Sequence, residues 1–164
     1  MRAKGASPAE LEVLYRTRFD SFVRVASAIS GNPEAGVDAV QSAFVSAVRH
    51  RRRFRGVGSL EAWVWQIVVN AARGARSRSD VQSVAEVPDV AANVNGGGGL
   101  DEFGVRRWIS ALPPRQREAV FLRYFADLDY RTIARVLELE PGTVSATLSA
   151  AHQTLRKRWE ASQR

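Results

Sequence analysis

The residues best suited to chemistry in this chain are cationic and aromatic rather than nucleophilic. Arg49, Arg51, Arg52, Arg53 and Arg55 crowd around Phe54. Guanidinium groups at that density neutralise phosphates and release condensed counterions. The segment from Phe54 to Ser59 also holds Gly56 and Gly58. An aromatic ring, a guanidinium plane and bare backbone thus lie together in one short loop. Trp65, Asn70 and Arg73 follow, at helical intervals further on. Trp65 lies off the Leu60–Ile67 stripe, so it either stacks on an unpaired base or is buried against the first helix. The plainer reading of the arginine run is a solvated basic face. Catalysis finds no footing. The chain has no cysteine. The run Gly96–Gly99 lacks the following Lys-Ser/Thr of a phosphate-binding loop. No His/Asp/Glu set has metal-ligand spacing, and no serine has a general base beside it. The expectation is a binding protein without metal or cofactor. Its lone histidines, His50 and His152, read as surface residues.

Composition points the same way. The 164 residues carry a formal charge of +7 and are 45% hydrophobic, a globular balance with a polyanionic partner in view. Glu10 to Ser79 holds 11 Lys/Arg against 6 Asp/Glu, and Phe103 to Arg164 holds 11 against 6 again. Between them, residues 80–102 hold 5 acids, no base, Pro88 and four consecutive glycines. That backbone opposes helix and strand alike. The chain therefore divides into a basic domain over 8–79, an acidic flexible linker over 80–102, and a second basic domain over 103–164. No apolar signal core follows the first residues, and no apolar run approaches the ~20 residues of a membrane span. The expected location is the cytoplasm.

Both domains read as all-helical. Leu11, Leu14, Tyr15, Phe22, Val25 and Ile29 form one helical stripe, which Gly31-Asn32-Pro33 ends. Val37, Val40, Phe44, Ala47 and Val48 form a second, running out in His50–Arg53. Ser59 caps a third, whose inner face is expected at Leu60, Trp63, Val64, Ile67 and Ala71. In the second domain Pro114 opens a helix carrying Val120, Phe121, Tyr124 and Phe125. Asp129 caps a short helix through Leu137. A last helix runs from about Thr143 to Trp159, with Val144, Leu148, Ala151, Leu155 and Trp159 along one side. A short helix, a tight turn and a longer amphipathic helix make a helix-turn-helix.

Two blocks carry a family resemblance. The first is Asp38-Ala39-Val40-Gln41-Ser42-Ala43-Phe44, then Arg53-Phe54-Arg55-Gly56 and Leu60-Glu61-Ala62-Trp63-Val64-Trp65-Gln66-Ile67-Val68-Val69-Asn70. The second is Leu112-Pro113-Pro114-Arg115-Gln116-Arg117-Glu118, then Leu122-Arg123-Tyr124, Tyr130, Ile133-Ala134, Leu137 and Gly142-Thr143-Val144. In order and spacing they resemble regions 2 and 4 of the extracytoplasmic-function (ECF) sigma factors of the sigma-70 family. The resemblance implies an all-α, two-domain promoter-specificity subunit. Its first domain would dock on the polymerase clamp and melt the −10 element. Its second would sit on the flap and read the −35 element, and an anti-sigma factor would be a further partner. The linker reaches at most ~70 Å extended but averages ~25 Å relaxed. Promoter elements two helical turns apart, each ~34–36 Å, need the stretched form.

On this reading Asp38, Gln41 and Phe44 are the core-binding candidates, Phe44 having a core role as its alternative. Arg49, Arg51, Arg52, Arg53, Phe54, Arg55, Trp65, Asn70 and Arg73 serve the −10 region. Arg131, Arg135, Thr143, Ser145, Ala146, Thr147, Ser149, His152 and Arg156 serve the −35 element. The family's recognition helix is commonly basic at the positions of Ser145, Thr147, Ala150 and His152. Here those side chains are short or neutral, which thins phosphate anchoring. Two alternatives therefore stand beside the sigma reading. One is a helix-turn-helix regulator acting without polymerase. The other is a sigma-like interaction protein that no longer reads promoters.

Overall fold

The structure, a computed structural model, describes residues 5–82 and 107–164. Helix α1 (Pro8–Ser30) opens on a reciprocal capping box. The Ser7 hydroxyl accepts from the Glu10 amide at 3.2 Å, and the Glu10 carboxylate accepts from the Ser7 amide at 2.8 Å. Gly31 ends the helix at φ 90°, a left-handed conformation that favours glycine. One residue later Asn32 caps α2 (Pro33–Arg49), accepting from the Ala35 amide at 2.9 Å. This back-to-back stop and start folds α2 onto α1. Gly36 lies at the crossing, where a Cβ would collide with Ser27. A 3-10 turn over Arg51–Arg53 then leads through the loop to α3 (Leu60–Gln82). Ser59 accepts from the Ala62 amide at 3.0 Å, as a cap should.

The core of this half is aromatic. Phe22 of α1, Phe44 of α2 and Trp65 of α3 meet at its centre, with centroids 5.4 Å apart for Phe22–Phe44 and 4.3 Å for Phe22–Trp65. Helix α3 buries Val64, Trp65, Val68, Val69 and Ala72. The expected inner stripe was rotated by about one position: Leu60, Trp63, Ile67 and Ala71 are only partly buried. Helix α3 also runs past the expected boundary at 79, taking Asp80 into its last turn. Most of the expected linker, with the glycine run, lies outside the described residues.

In the second half a helical turn over 107–110 precedes α4 (Pro114–Tyr124), α5 (Tyr130–Leu137) and α6 (Pro141–Ser162). Asp129 caps α5, accepting from the Thr132 amide at 2.7 Å. That bond holds its carboxyl below the usual carboxylate range. Glu138 ends α5 at φ 56°. Helix α6 begins two residues earlier than expected because Pro141 takes the first-turn position. Leu122, Ile133, Leu137, Val144 and Leu148 form the core here. Trp159 does not join them. It is 48% exposed and packs edge-on against Trp108. The described residues contain no strand, and none of their helices is long and apolar enough to cross a membrane.

The two halves touch. Helix α3 packs against α5, and α1 against the end of α4. Arg18 spans the seam, donating to the Glu61 carboxylate at 2.9 Å and to the Ala126 carbonyl at 2.7 Å.

Candidate polymerase and nucleic-acid interface

Asp38 and Gln41 lie one turn apart on α2 and are both exposed, so they form one accessible face. Phe44, on the same helix, is not part of that face. It is 6% exposed and packs edge-on against Tyr15 at 4.9 Å as well as against Phe22. This corrects its candidacy for core binding: the ring is interior.

The basic corner lies where α2 ends. Arg49, Arg52, Arg53 and Arg55 are exposed, while Arg51 and Phe54 are half-buried. Arg51 donates to the Val48 carbonyl at 3.0 Å, capping the helix end. The other four have no ion-pair partner among the described residues. Four unpaired guanidiniums close together repel one another and are stabilised by a polyanion. Gly56 and Gly58 both adopt positive φ, at 73° and 78°.

Trp65 cannot stack on a base. It is fully buried, and its indole nitrogen donates to Glu61 at 3.3 Å. The partly exposed tryptophan is Trp63, whose ring lies 5.7 Å from that of Phe54. The aromatic pair beside the basic corner is therefore Phe54–Trp63; of the two readings of Trp65, burial against the first helix is the one the structure shows, and Trp63, expected in the core, lies at its edge. Asn70 is exposed and Arg73 half-buried further along α3.

On the second half, Thr143, Ser145, Ala146, Ser149 and His152 line the exposed side of α6. Their hydrogen-bonding reach is smaller than their number suggests. The Thr147 hydroxyl is spent on the Thr143 carbonyl at 2.7 Å. A His152 ring nitrogen is 2.8 Å from the Tyr124 hydroxyl. Arg156 is paired with Glu160 at 3.0 Å. Arg131 and Arg135 are exposed on α5, but Arg135 lies against Gly58, where a Cβ would overlap its guanidinium. Arg135 thus faces the first half.

Several polar residues in the seam were not singled out from sequence. Glu118 on α4 is buried, at 4% exposure. Arg73 grips it with two bonds, Nε to Oε1 at 2.8 Å and a second nitrogen to Oε2 at 2.7 Å. That pairing raises the pKa of the Arg73 guanidinium further. Gln66 donates to the Glu138 carboxylate at 3.0 Å. These partners are separated by 45 and 72 positions, so no local pattern could have announced them. Among the described residues no group of three or more His, Cys, Asp or Glu is placed to hold a metal ion.

Two helical halves, one with a basic corner and the other a helix-turn-helix, have counterparts in known families. Residues 14–80 match Sigma-70 region 2 and residues 104–155 match Sigma-70 region 4. The ECF RNA polymerase sigma-E factor of Escherichia coli strain K12 is 30% identical over 151 residues, covering 80% of this chain and 78% of that one. The RNA polymerase sigma-H factor of Pseudomonas aeruginosa is 30% identical over 137 residues, covering 73% and 70%. Among solved structures, the sigma factor RpoE of Bartonella quintana in complex with the anti-sigma factor NepR superposes with a TM-score of 0.76 at 20% identity, over 92% of this chain and 97% of that one. CnrH, solved with the cytosolic domain of CnrY, superposes with a TM-score of 0.72 at 17% identity, over 95% and 91%. The chain belongs to the ECF sigma factors of the sigma-70 family. Its function is that of a transcription-initiation sigma factor, and because both halves match in order, the reading as a plain helix-turn-helix regulator falls away.

Proposed function

We propose that this sigma factor divides promoter recognition unevenly, with its first half carrying most of the sequence discrimination. The observation behind this is the contrast between the two candidate DNA faces. Four unpaired arginines beside the Phe54–Trp63 pair stand at the end of α2. The exposed side of α6 offers hydroxyls, an alanine and a histidine already bonded to Tyr124. A bidentate base contact is worth about 1–3 kcal/mol of discrimination, and short side chains do not reach for one.

In this scheme Asp38 and Gln41 meet the polymerase clamp, and the second half sits on the flap. Arg49, Arg52, Arg53 and Arg55 neutralise phosphates at the melted −10 region, while Phe54 and Trp63 offer a ring face to an unpaired base. The chain acts as a non-catalytic subunit, in keeping with its family, and works in the cytoplasm where its polymerase is. An anti-sigma factor is the remaining partner, supported by the two similar folds having been solved with partner proteins, one of them named an anti-sigma factor. The test is run-off transcription from a promoter library by core polymerase with and without the chain. Core-dependent initiation that is lost mainly on scrambling the −10 element is expected. A greater loss on scrambling the −35 element overturns the uneven division.

A further inference from the structure

Arg117, in the first turn of α4, is poorly partnered for a buried cation. It is 5% exposed, and its hydrogen bond is to a neutral group, the Ser110 carbonyl, which accepts from Nη1 at 2.9 Å. Its buried Nε has no acceptor among the described residues. Burial, and then the charge of nearby Arg76, holds the guanidinium below its ordinary pKa. An open cleft of about 590 Å³ lies beside it, between α3 and the start of α4. Its charged lining is Arg73, Arg76, Arg115 and Arg117 against Asp80 and Glu118, four cations to two anions. Arg73 is met by Glu118 at 2.7 Å. Arg115 reaches that same carboxylate only at 3.7 Å, and Arg76 stands 3.9 Å from Asp80. Two positive charges are left without a carboxylate of their own. The N-terminus of α4 adds to them: Pro113 supplies no side-chain cap and the first turn holds no acid, so this end of the helix dipole is also unopposed.

We propose that this cleft binds a phosphate dianion, either free or as the end group of a small phosphate ester. Arg76, Arg115 and Arg117 are its cations, and Ser77, also in the lining, is a hydroxyl donor. A dianion matches the two unmet charges. Guanidinium forks suit phosphate oxygens, and a buried cation is stabilised when an opposite charge enters beside it. The volume falls in the range of about 300–1,000 Å³ that small ligands occupy, so there is room for more than the phosphate group. Asp80 and Glu118 oppose an anion, but each already faces an arginine. None of Arg49, Arg52, Arg53 and Arg55 lines the cleft, so the site is distinct from the basic corner.

The test is calorimetric titration of the full chain, in chloride at constant ionic strength, with inorganic phosphate and with adenosine monophosphate. Saturable one-to-one binding of at least one probe is expected, with a rise in Tm, because the ligand binds the folded chain. Tighter binding of the nucleotide assigns the cleft to a phosphate ester. Equal or tighter binding of inorganic phosphate assigns it to the free ion. Arg117→Gln and Arg76→Gln should each weaken that binding by at least about tenfold, since each removes a charge-assisted contact. Arg76 is partly open to solvent, so Arg76→Gln keeps the test decisive should Arg117→Gln lose native helicity. Arg16→Gln, at an exposed arginine paired with Glu12 and outside the cleft, should leave the affinity unchanged. Absence of saturable binding by both probes overturns the inference. So does undiminished binding in folded Arg76→Gln, or an equal loss in Arg16→Gln. If neither probe binds but Arg76→Gln weakens binding of a short DNA duplex, the cleft belongs to the DNA surface and the inference is again overturned.

Discussion

Trp65 and Trp63 stand two positions apart and are buried unequally. On a helix, two positions are a rotation of about 200°, so Trp65 enters the core while Trp63 packs half-buried at its edge. Trp65 meets Phe22 with centroids 4.3 Å apart and is fully buried. Trp65→Ala should therefore destabilise the protein by about 3–5 kcal/mol, read by denaturant unfolding. A folded, equally stable variant defective only in promoter melting would restore a base-stacking role. Asp38 and Gln41 make the complementary case. Both are exposed on α2, so Asp38→Ala with Gln41→Ala should weaken binding to polymerase core in a pull-down while leaving helicity native. Undiminished core binding would place the docking face elsewhere.

At the scale of elements, the helix ends carry much of the specification. Ser7, Asn32, Ser59 and Asp129 each accept a bond from a first-turn amide, and Ser59 and Asp129 are named as caps from sequence because cap chemistry is local. Asp129→Ala should cost about 0.5–2 kcal/mol in thermal unfolding. Since the folded carboxyl titrates below its ordinary value, the contribution is complete above that ordinary value. It disappears as pH falls through the depressed one. The variant should lose less stability than the parent over that acidic window. The basic corner is also an element-scale feature: Arg49 ends α2, Arg52 and Arg53 lie in the 3-10 turn, and Arg55 follows in the loop. Arg53→Ala and Arg55→Ala should each lower the log–log salt slope of open-complex formation by about 0.7–0.9. An unchanged slope would make them a solvated face.

For the whole molecule, the seam decides which surfaces are available. Arg18, Arg73, Gln66 and Arg135 reach from one half to the other, and two of them, Arg73 and Arg135, are residues the sequence assigns to DNA. Arg73–Glu118 is an ion pair across the seam whose guanidinium is partly open to solvent, so added salt should loosen the contact between the halves. In a protein carrying a donor–acceptor dye pair at Asp20→Cys and Gln163→Cys, both exposed positions in a chain without cysteine, raising the salt concentration should lower energy transfer before helicity changes. Coincident loss of both would mean that the halves unfold rather than separate.

What the sequence determined by itself is whatever rests on neighbours along the chain: the helices, their caps, the break at Gly31-Asn32-Pro33, the helix-turn-helix and the basic corner. The family blocks were legible for the same reason, being short runs at fixed spacing. Two things waited for tertiary structure. One was the inward face of α3, because Leu60 to Ala72 is apolar on nearly every side and periodicity supports more than one stripe. Phe22 and Phe44, on other helices, turn that face toward Trp65. The other was the seam. Glu118 looks like any surface glutamate in sequence, and only the docking of α4 against the first half brings Arg73, 45 positions away, to bury and pair it. Pairing over such distances is set by the packed arrangement of helices, which no local pattern encodes.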